Sequence, residues 1–251
     1  MSRIAVFDSG LGSLSIIKPI QKKIKTEIIY FADQDNFPYG TKSTIELRKI
    51  IKSTIRKLEE KFEPDLIVIA SNTPSLLLNQ KKQSKIVGVY PPLEDAVKKT
   101  NTNSIAILAT KSVVESKELQ NYIKKRIPKG IKVIKINASP LVELVESGKF
   151  ASKKEFCKKK IRANLKPIQK EKVDVATLSS THLPFLLPML KEIFPNVTFL
   201  DPADSVANRI STLLKGKKSN TRKLKIFASG NTKIFQKKLQ KLGIKNKVFL
   251  L

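Results

Sequence analysis

Short apolar, β-branched runs alternate along the chain with longer stretches in which apolar residues recur every three or four positions. The runs at 4–7, 27–31, 66–70, 86–89, 104–109, 132–137, 173–178, 198–200 and 225–228 predict strands. Helices are expected over 14–25, 44–62, 93–99, 113–127, 140–147, 153–171, 183–194, 205–214 and 233–242. Several strand runs are apolar throughout, as strands covered on both faces must be. Strand–helix alternation therefore predicts an α/β protein with doubly wound parallel sheets.

Two of these strands end alike. The run 66–69 leads into "ASNTPSLLL" at 70–78, and 174–178 leads into "SSTHLPFLL" at 179–187. Ser71 and Ser180 are 109 residues apart, close to one domain length. The repetition predicts two similar α/β domains. In open α/β sheets ligands collect beyond the carboxyl ends of the strands. Small polar residues in that place are expected to line a site rather than a core.

The 251 residues are enough for one large or two modest domains. No apolar stretch approaches the length of a membrane span, and the first residues run directly into a strand pattern with no separate targeting segment. A cytoplasmic protein with no membrane association is the expectation. The formal charge of +28 raises nucleic acid as a partner. However, 42 of the 49 cationic residues are lysine and only 7 arginine, and they are spread along the whole chain. Arginine is the residue suited to bidentate phosphate and guanine contacts. A lysine-biased solvated surface is the favoured reading, and nucleic acid the less favoured one. The single cysteine, Cys157, excludes an intramolecular disulfide and reads as an incidental residue on a basic, solvated helix. No metal-ligand spacing is present.

Candidate chemistry begins at "DSGLGSLS", residues 8–15. Glycines there admit close approach of a ligand, and the helix that follows offers N–H groups to an anion. The third glycine of a dinucleotide fingerprint is Ser15, so a carboxylate suits this turn as well as a phosphate. Asp8 is a candidate base or ammonium partner, with helix capping as the alternative. "PYGTKS" at 38–43 lacks the Lys of a phosphate loop after Gly40 and reads as a turn supplying backbone groups and the Tyr39 hydroxyl. His182 is the only histidine. A serine hydrolase is disfavoured, because G-x-S-x-G is absent around both serines.

In this order and spacing, "IAVFDSGLGSLS", "YFADQDNFPYGTKS", "LIVIASNTPS", "IAILAT", "LVESG", "LSSTHLPFL" and "FASGNTKIF" resemble the glutamate racemase family of the aspartate/glutamate racemase superfamily. The resemblance covers nearly the whole chain. It implies two pseudo-symmetric domains, 1–97 with 206–251 and 98–205, with the site in the cleft between them. It implies Cα proton transfer on an acidic amino acid without cofactor or metal, and often a homodimer. Substrate is then expected at Asp8, Ser9, Pro38, Tyr39, Gly40, Asn72, Thr73, Thr181 and His182. Catalysis falls to Asp8, Ser71, Glu146, Ser180 and His182.

The chain departs from the family's pattern at the reacting groups themselves. The family's C-N-T and C-T-H motifs read here Ser71-Asn72-Thr73 and Ser180-Thr181-His182. Ser13, Pro74 and Ser179 also replace residues usual in the family, and this spread around the site reads as natural divergence. A thiol ionises near pH 8.5, whereas a serine hydroxyl is a far poorer base near neutrality. Two routes to residual activity stay open: Asp8 and His182 act directly, or their neighbours activate the serines. Three functions follow: a weak racemase, a non-racemising binder of dicarboxylic amino acids, or a basic-surface protein with a vestigial pocket that binds nucleic acid or another partner.

Overall fold

A computed structural model describes residues 2–78, 85–217, 219 and 222–251. The chain divides into two compact units, Met1–Val89 with Ala203–Leu251, and Tyr90–Pro202. The expected junctions lay after residues 97 and 205. The segment Ala203–Leu251 belongs to the first unit.

Unit 1 holds a six-stranded parallel sheet. Its strands are β1 (Arg3–Asp8), β2 (Glu27–Ala32), β3 (Leu66–Ile69), β4 (Ile86–Gly88), β9 (Lys223–Ala228) and β10 (Val248–Leu250), in the order β10-β9-β2-β1-β3-β4. Unit 2 holds a four-stranded parallel sheet of β5 (Ser104–Ala109), β6 (Lys132–Asn137), β7 (Val175–Leu178) and β8 (Thr198–Leu200), in the order β6-β5-β7-β8. That order reproduces β2-β1-β3-β4, so each unit contains the same four-strand arrangement and β3 corresponds to β7. Strands β2, β3, β5 and β7 are buried at every residue, as continuous apolar runs in a doubly covered sheet should be. The edge strand β6 instead carries Lys132 and Lys135 and buries only Ile136, which blunts its free edge.

The helices are α1 (Ser13–Lys23), α2 (Thr44–Phe62), α3 (Asn72–Leu78), α4 (Leu93–Lys99), α5 (Lys111–Val114), α6 (Lys117–Lys124), α7 (Ser139–Glu146), α8 (Lys149–Ser152), α9 (Lys154–Asn164), α10 (Lys166–Lys170), α11 (Leu187–Ile193), α12 (Ala203–Leu213) and α13 (Thr232–Lys241). Helix α2 illustrates the sequence logic. Ser43 caps it by accepting from the N–H of Glu46 at 3.2 Å, and Leu47, Ile51, Thr54 and Leu58 form its buried stripe.

Three expected helices are interrupted. The stretch 113–127 breaks where Ser116 accepts from the N–H of Leu119 at 3.1 Å and starts α6. The stretch 153–171 breaks at Leu165, because Pro167 has no N–H to continue the ladder. The stretch 183–194 opens as a 3-10 turn, Leu183–Leu186, before α11. Helix α3 begins directly after Ser71, where only a polar loop end was expected. Strand β10 and the short helix α8 were also absent from the sequence expectation.

Cys157 corrects a further expectation. It is fully buried, on an inward stripe with Ile161, Leu165 and Ile168. Burial pushes its thiol up, against a smaller opposing pull from Lys149. Lysines on the outer face of α9 disguise this amphipathic helix.

Unit 2 also contains an acidic clasp. Asp174 accepts from the hydroxyl of Thr100 at 2.6 Å and from the N–H of Asn101 at 2.6 Å. It accepts as well from the N–H and hydroxyl of Thr102, at 3.1 and 2.9 Å. Burial alone would raise the Asp174 carboxyl, but these donors outweigh it and hold the group below the usual carboxylate range. Asp174→Ala should therefore destabilise the protein by about 2 kcal/mol at pH 7, since hydrogen bonds to charged groups are lost. Because the folded carboxyl is depressed, its contribution is fully present above the ordinary carboxylate range. It fades as pH falls through the folded value. Urea denaturation at pH 7 and pH 3 should show the gap between variant and native protein closing in acid.

Candidate functional site

In unit 1 the strands end together, and each central strand hands over to a small polar residue. Asp8 closes β1, Asp33 follows β2, Ser229 follows β9 and Ser71 lies just beyond β3. Backbone bonds carry the sheet one step past its edge. The N–H of Asp33 donates to Asp8 at 2.8 Å, that of Ser229 to Ala32 at 3.1 Å, and that of Ala70 to Phe7 at 2.8 Å. The turn after β1 is held from below by the buried Tyr30, whose hydroxyl donates to the Gly10 carbonyl at 2.6 Å. Asp8 and Ser9 are both buried, and the Ser9 N–H donates to Asp8 Oδ1 at 2.6 Å.

The turn carrying Pro38, Tyr39 and Gly40 folds over this row. The Tyr39 N–H donates to Ser9 Oγ at 3.4 Å, and the Tyr39 hydroxyl donates to Asp33 Oδ2 at 2.9 Å. Asp33 is a hub. It also accepts from Asn36 Nδ2 at 2.9 and 3.0 Å, and from the Ser229 hydroxyl at 3.2 Å. Burial, and then the negative charges of Asp33 and Asp8, push the Tyr39 phenol well above its usual range. Tyr39 thus stays a neutral donor.

Beyond β3, Ser71 is half-buried and Asn72 opens α3. Ser75 is structural: its hydroxyl donates to the Ser71 carbonyl at 2.7 Å and accepts from the N–H of Val89 at 2.9 Å. Asn72 is different. It is 3% exposed, yet neither its Nδ2 nor its Oδ1 meets a partner among the described residues. A buried amide in that condition costs about 1–3 kcal/mol until something bonds to it. Thr73 beside it is half-buried.

In unit 2, Ser180, Thr181 and His182 follow β7 and are all buried. The preceding Ser179 is satisfied internally by the Thr177 hydroxyl at 2.8 Å. His182 Nε2 lies 2.8 Å from Glu146 Oε1, with both side chains nine-tenths buried. Glu146 is the last residue of α7, and the chain leaves that helix through Gly148 in the left-handed region, at φ 72°. A carboxylate–imidazole pair of this kind can hold or pass a proton. Among the described residues, no three His, Cys, Asp or Glu side chains gather as a metal site, and no helix is long and apolar enough to cross a membrane.

The expected residues therefore fall into two groups: Asp8, Ser9, Pro38, Tyr39, Gly40, Ser71, Asn72 and Thr73 in unit 1, and Glu146, Ser180, Thr181 and His182 in unit 2. Sequence reasoning missed Asp33, Asn36 and Ser229. The available signal was positional, since Asp33 and Ser229 follow strands just as the recognised residues do.

No family model matches the chain. A curated glutamate racemase of Bacillus cereus is 32% identical over 218 residues, covering 84% of this chain and 80% of the relative. A glutamate racemase isoform of Bacillus anthracis superposes with a TM-score of 0.84 at 25% identity, covering 100% of this chain and 97% of the other. An Escherichia coli glutamate racemase, solved with L-glutamate and an activator, gives 0.83 at 23% identity over 100% and 98%. The chain belongs to the glutamate racemase family and has its fold.

The Asp33 hub makes a stability prediction. Asp33→Ala strands the Tyr39, Asn36 and Ser229 donors together and should cost about 2–4 kcal/mol. Tyr39→Phe removes a single donor and should cost about 1–2 kcal/mol. Urea denaturation of both variants measures the difference, and equal losses would mean that Asp33 does not act as a hub.

Proposed function

We propose that this chain binds an acidic amino acid of the glutamate or aspartate type through its strand-end residues, and that Cα proton transfer on it is weak or lost. The observation that carries this reading is the position of the two serines. Ser71 and Ser180 follow β3 and β7, which are corresponding strands in the shared four-strand order. They stand where the family's two acid–base cysteines are expected. Around them the binding apparatus is retained. Asp8, Ser9, Pro38, Tyr39, Gly40, Asn72, Thr73, Thr181 and His182 are the binding residues in this reading. The Asn72 amide, unpartnered among the described residues, is suited to an amino acid's carboxylate and ammonium groups.

Racemisation by two bases needs one group to remove the Cα proton and another to return a proton on the opposite face. A positioned acid–base group contributes roughly 10²–10⁴-fold. Replacing both thiols with hydroxyls removes the ionisable groups that supply an anionic base near neutrality, while changing the volume of the site little. Cys157 cannot stand in, because it is fully buried in the core of unit 2. Residual proton transfer falls to Asp8 and to the Glu146–His182 pair, either directly or through the serines. The alternative in which the basic surface carries the function and the pocket is vestigial draws only on the charge of +28.

Proton NMR in D2O tests the reading. L- and D-glutamate and L-aspartate are incubated with the native protein and with a Ser71→Cys/Ser180→Cys variant. The Cα signal should disappear at least ~100-fold faster with the double variant, in keeping with the weight of the missing groups. Equal exchange rates would show that the serines cost nothing. Thermal melts of the native protein should rise with millimolar ligand, because binding to the folded state stabilises it. No shift with any of the three amino acids would remove the binding reading itself.

A further inference from the structure

Away from the strand-end residues, unit 2 carries a second concave site. Helices α9, α10 and the end of α11 border an open cavity of about 350 Å3, lined by Lys159, Arg162, Lys166 and Gln169 together with Ile193 and Phe194. The four polar residues recur at three- and four-residue spacing and so share one stripe of α9 and α10. Phe194 is buried and Ile193 half-buried, which gives the cavity an apolar wall.

No carboxylate among the described residues lines the cavity. Among the described residues none of its three cations forms an ion pair. The acids nearby are already engaged, since Lys158 holds Glu192 at 2.7 Å and Glu155 at 3.0 Å. The presence of an arginine adds weight in a chain with only seven. Arg3, Arg56 and Arg126 are all held by glutamates, whereas Arg162 faces the cavity. Three like charges around one concavity repel one another, and a multiply charged anion relieves that repulsion.

We propose that this cavity binds a small phosphomonoester. The phosphate sits against Arg162, Lys159 and Lys166, and an apolar or planar body lies on Ile193 and Phe194. A phosphate dianion matches the charge of the triad better than a carboxylate, and the guanidinium fork donates to two of its oxygens. Gln169 supplies one neutral polar contact to the body of the ligand. The volume lies in the range of small-ligand pockets. The assignment does not depend on the racemase reading, because no strand-end residue takes part.

Calorimetric titration with phenyl phosphate, inorganic phosphate and phenol tests it. Phenyl phosphate should bind more tightly than inorganic phosphate, and phenol should not bind. Arg162→Gln and Lys166→Gln should each weaken phenyl phosphate by ~10-fold or more, while Arg162→Lys, which keeps the charge but loses the fork, should fall between. Lys98→Gln/Lys99→Gln on α4, which packs on the opposite face of the unit 2 sheet from α9 and α10, removes two charges and should change affinity less than ~2-fold. All these side chains are exposed, so the variants should melt as the native protein does. Equal weakening by the α4 control would overturn the proposal in favour of diffuse surface charge. So would the absence of phenyl phosphate binding at ~10 mM, weaker than the millimolar floor of specific affinity. A single-stranded oligonucleotide that binds more tightly and loses as much affinity on Arg162→Gln would instead make the site a nucleic-acid contact.

Discussion

The pairing of β1 on both sides is the constraint from which unit 1 follows. Its partners are β2 and β3, both parallel and in unbroken register, and all three are apolar between their end residues. Parallel strands must all run the same way, so their carboxyl ends meet along one edge. Where the apolar run stops, the backbone still bonds across the neighbouring ends, and the side chains there are released from packing. Asp8 occupies such a place, with its carbonyl still accepting from Asp33 and its carboxylate turned to other use. Starting ends are tied in a different way. The buried Glu27 bonds Arg3 at 2.6 Å and Lys225 at 2.7 Å, joining the beginnings of β1, β2 and β9.

Two buried polar groups near that edge stand in opposite conditions. Asp33 is saturated by Tyr39, Asn36 and Ser229, so its charge is spent on holding the 38–40 turn in place. Asn72 is equally buried and bonds to nothing described. A fully satisfied network fixes a shape, whereas an unsatisfied one stores free energy that a partner can release. The first condition marks a support and the second a contact. Ser75 and Ser179 belong with Asp33, since both are bonded internally.

The fold was legible wherever burial left a periodic trace. The strands through 200 and the long helix α2 were apparent, because continuous apolar runs and an i, i+4 stripe leave few alternatives. Local chemistry hid the rest. "SNTPS" reads as a loop by composition, and only the backbone bonding of Ser75 reveals that a helix starts there. Cys157 looked solvated because lysines surround it in sequence, although the stripe Cys157, Ile161, Leu165 was available. Asp33 was invisible as a hub, since Tyr39, Asn36 and Ser229 reach it from 6, 3 and 196 positions away. Order of segments sufficed for the family, but contacts of that range require coordinates.

The return of residues 203–251 to unit 1 sets the order in which a ribosome can complete this protein. β2 has two neighbours, β1 and β9, and the second is more than 190 residues downstream. All of unit 2 is synthesised in the interval. Throughout that time the growing chain carries an apolar β2 with one bare edge, the kind of edge that recruits foreign strands. Unit 2, by contrast, is contiguous and emerges whole. The later-made half of the molecule is therefore the first that can close, and the earlier-made half must wait for the chain's final strands.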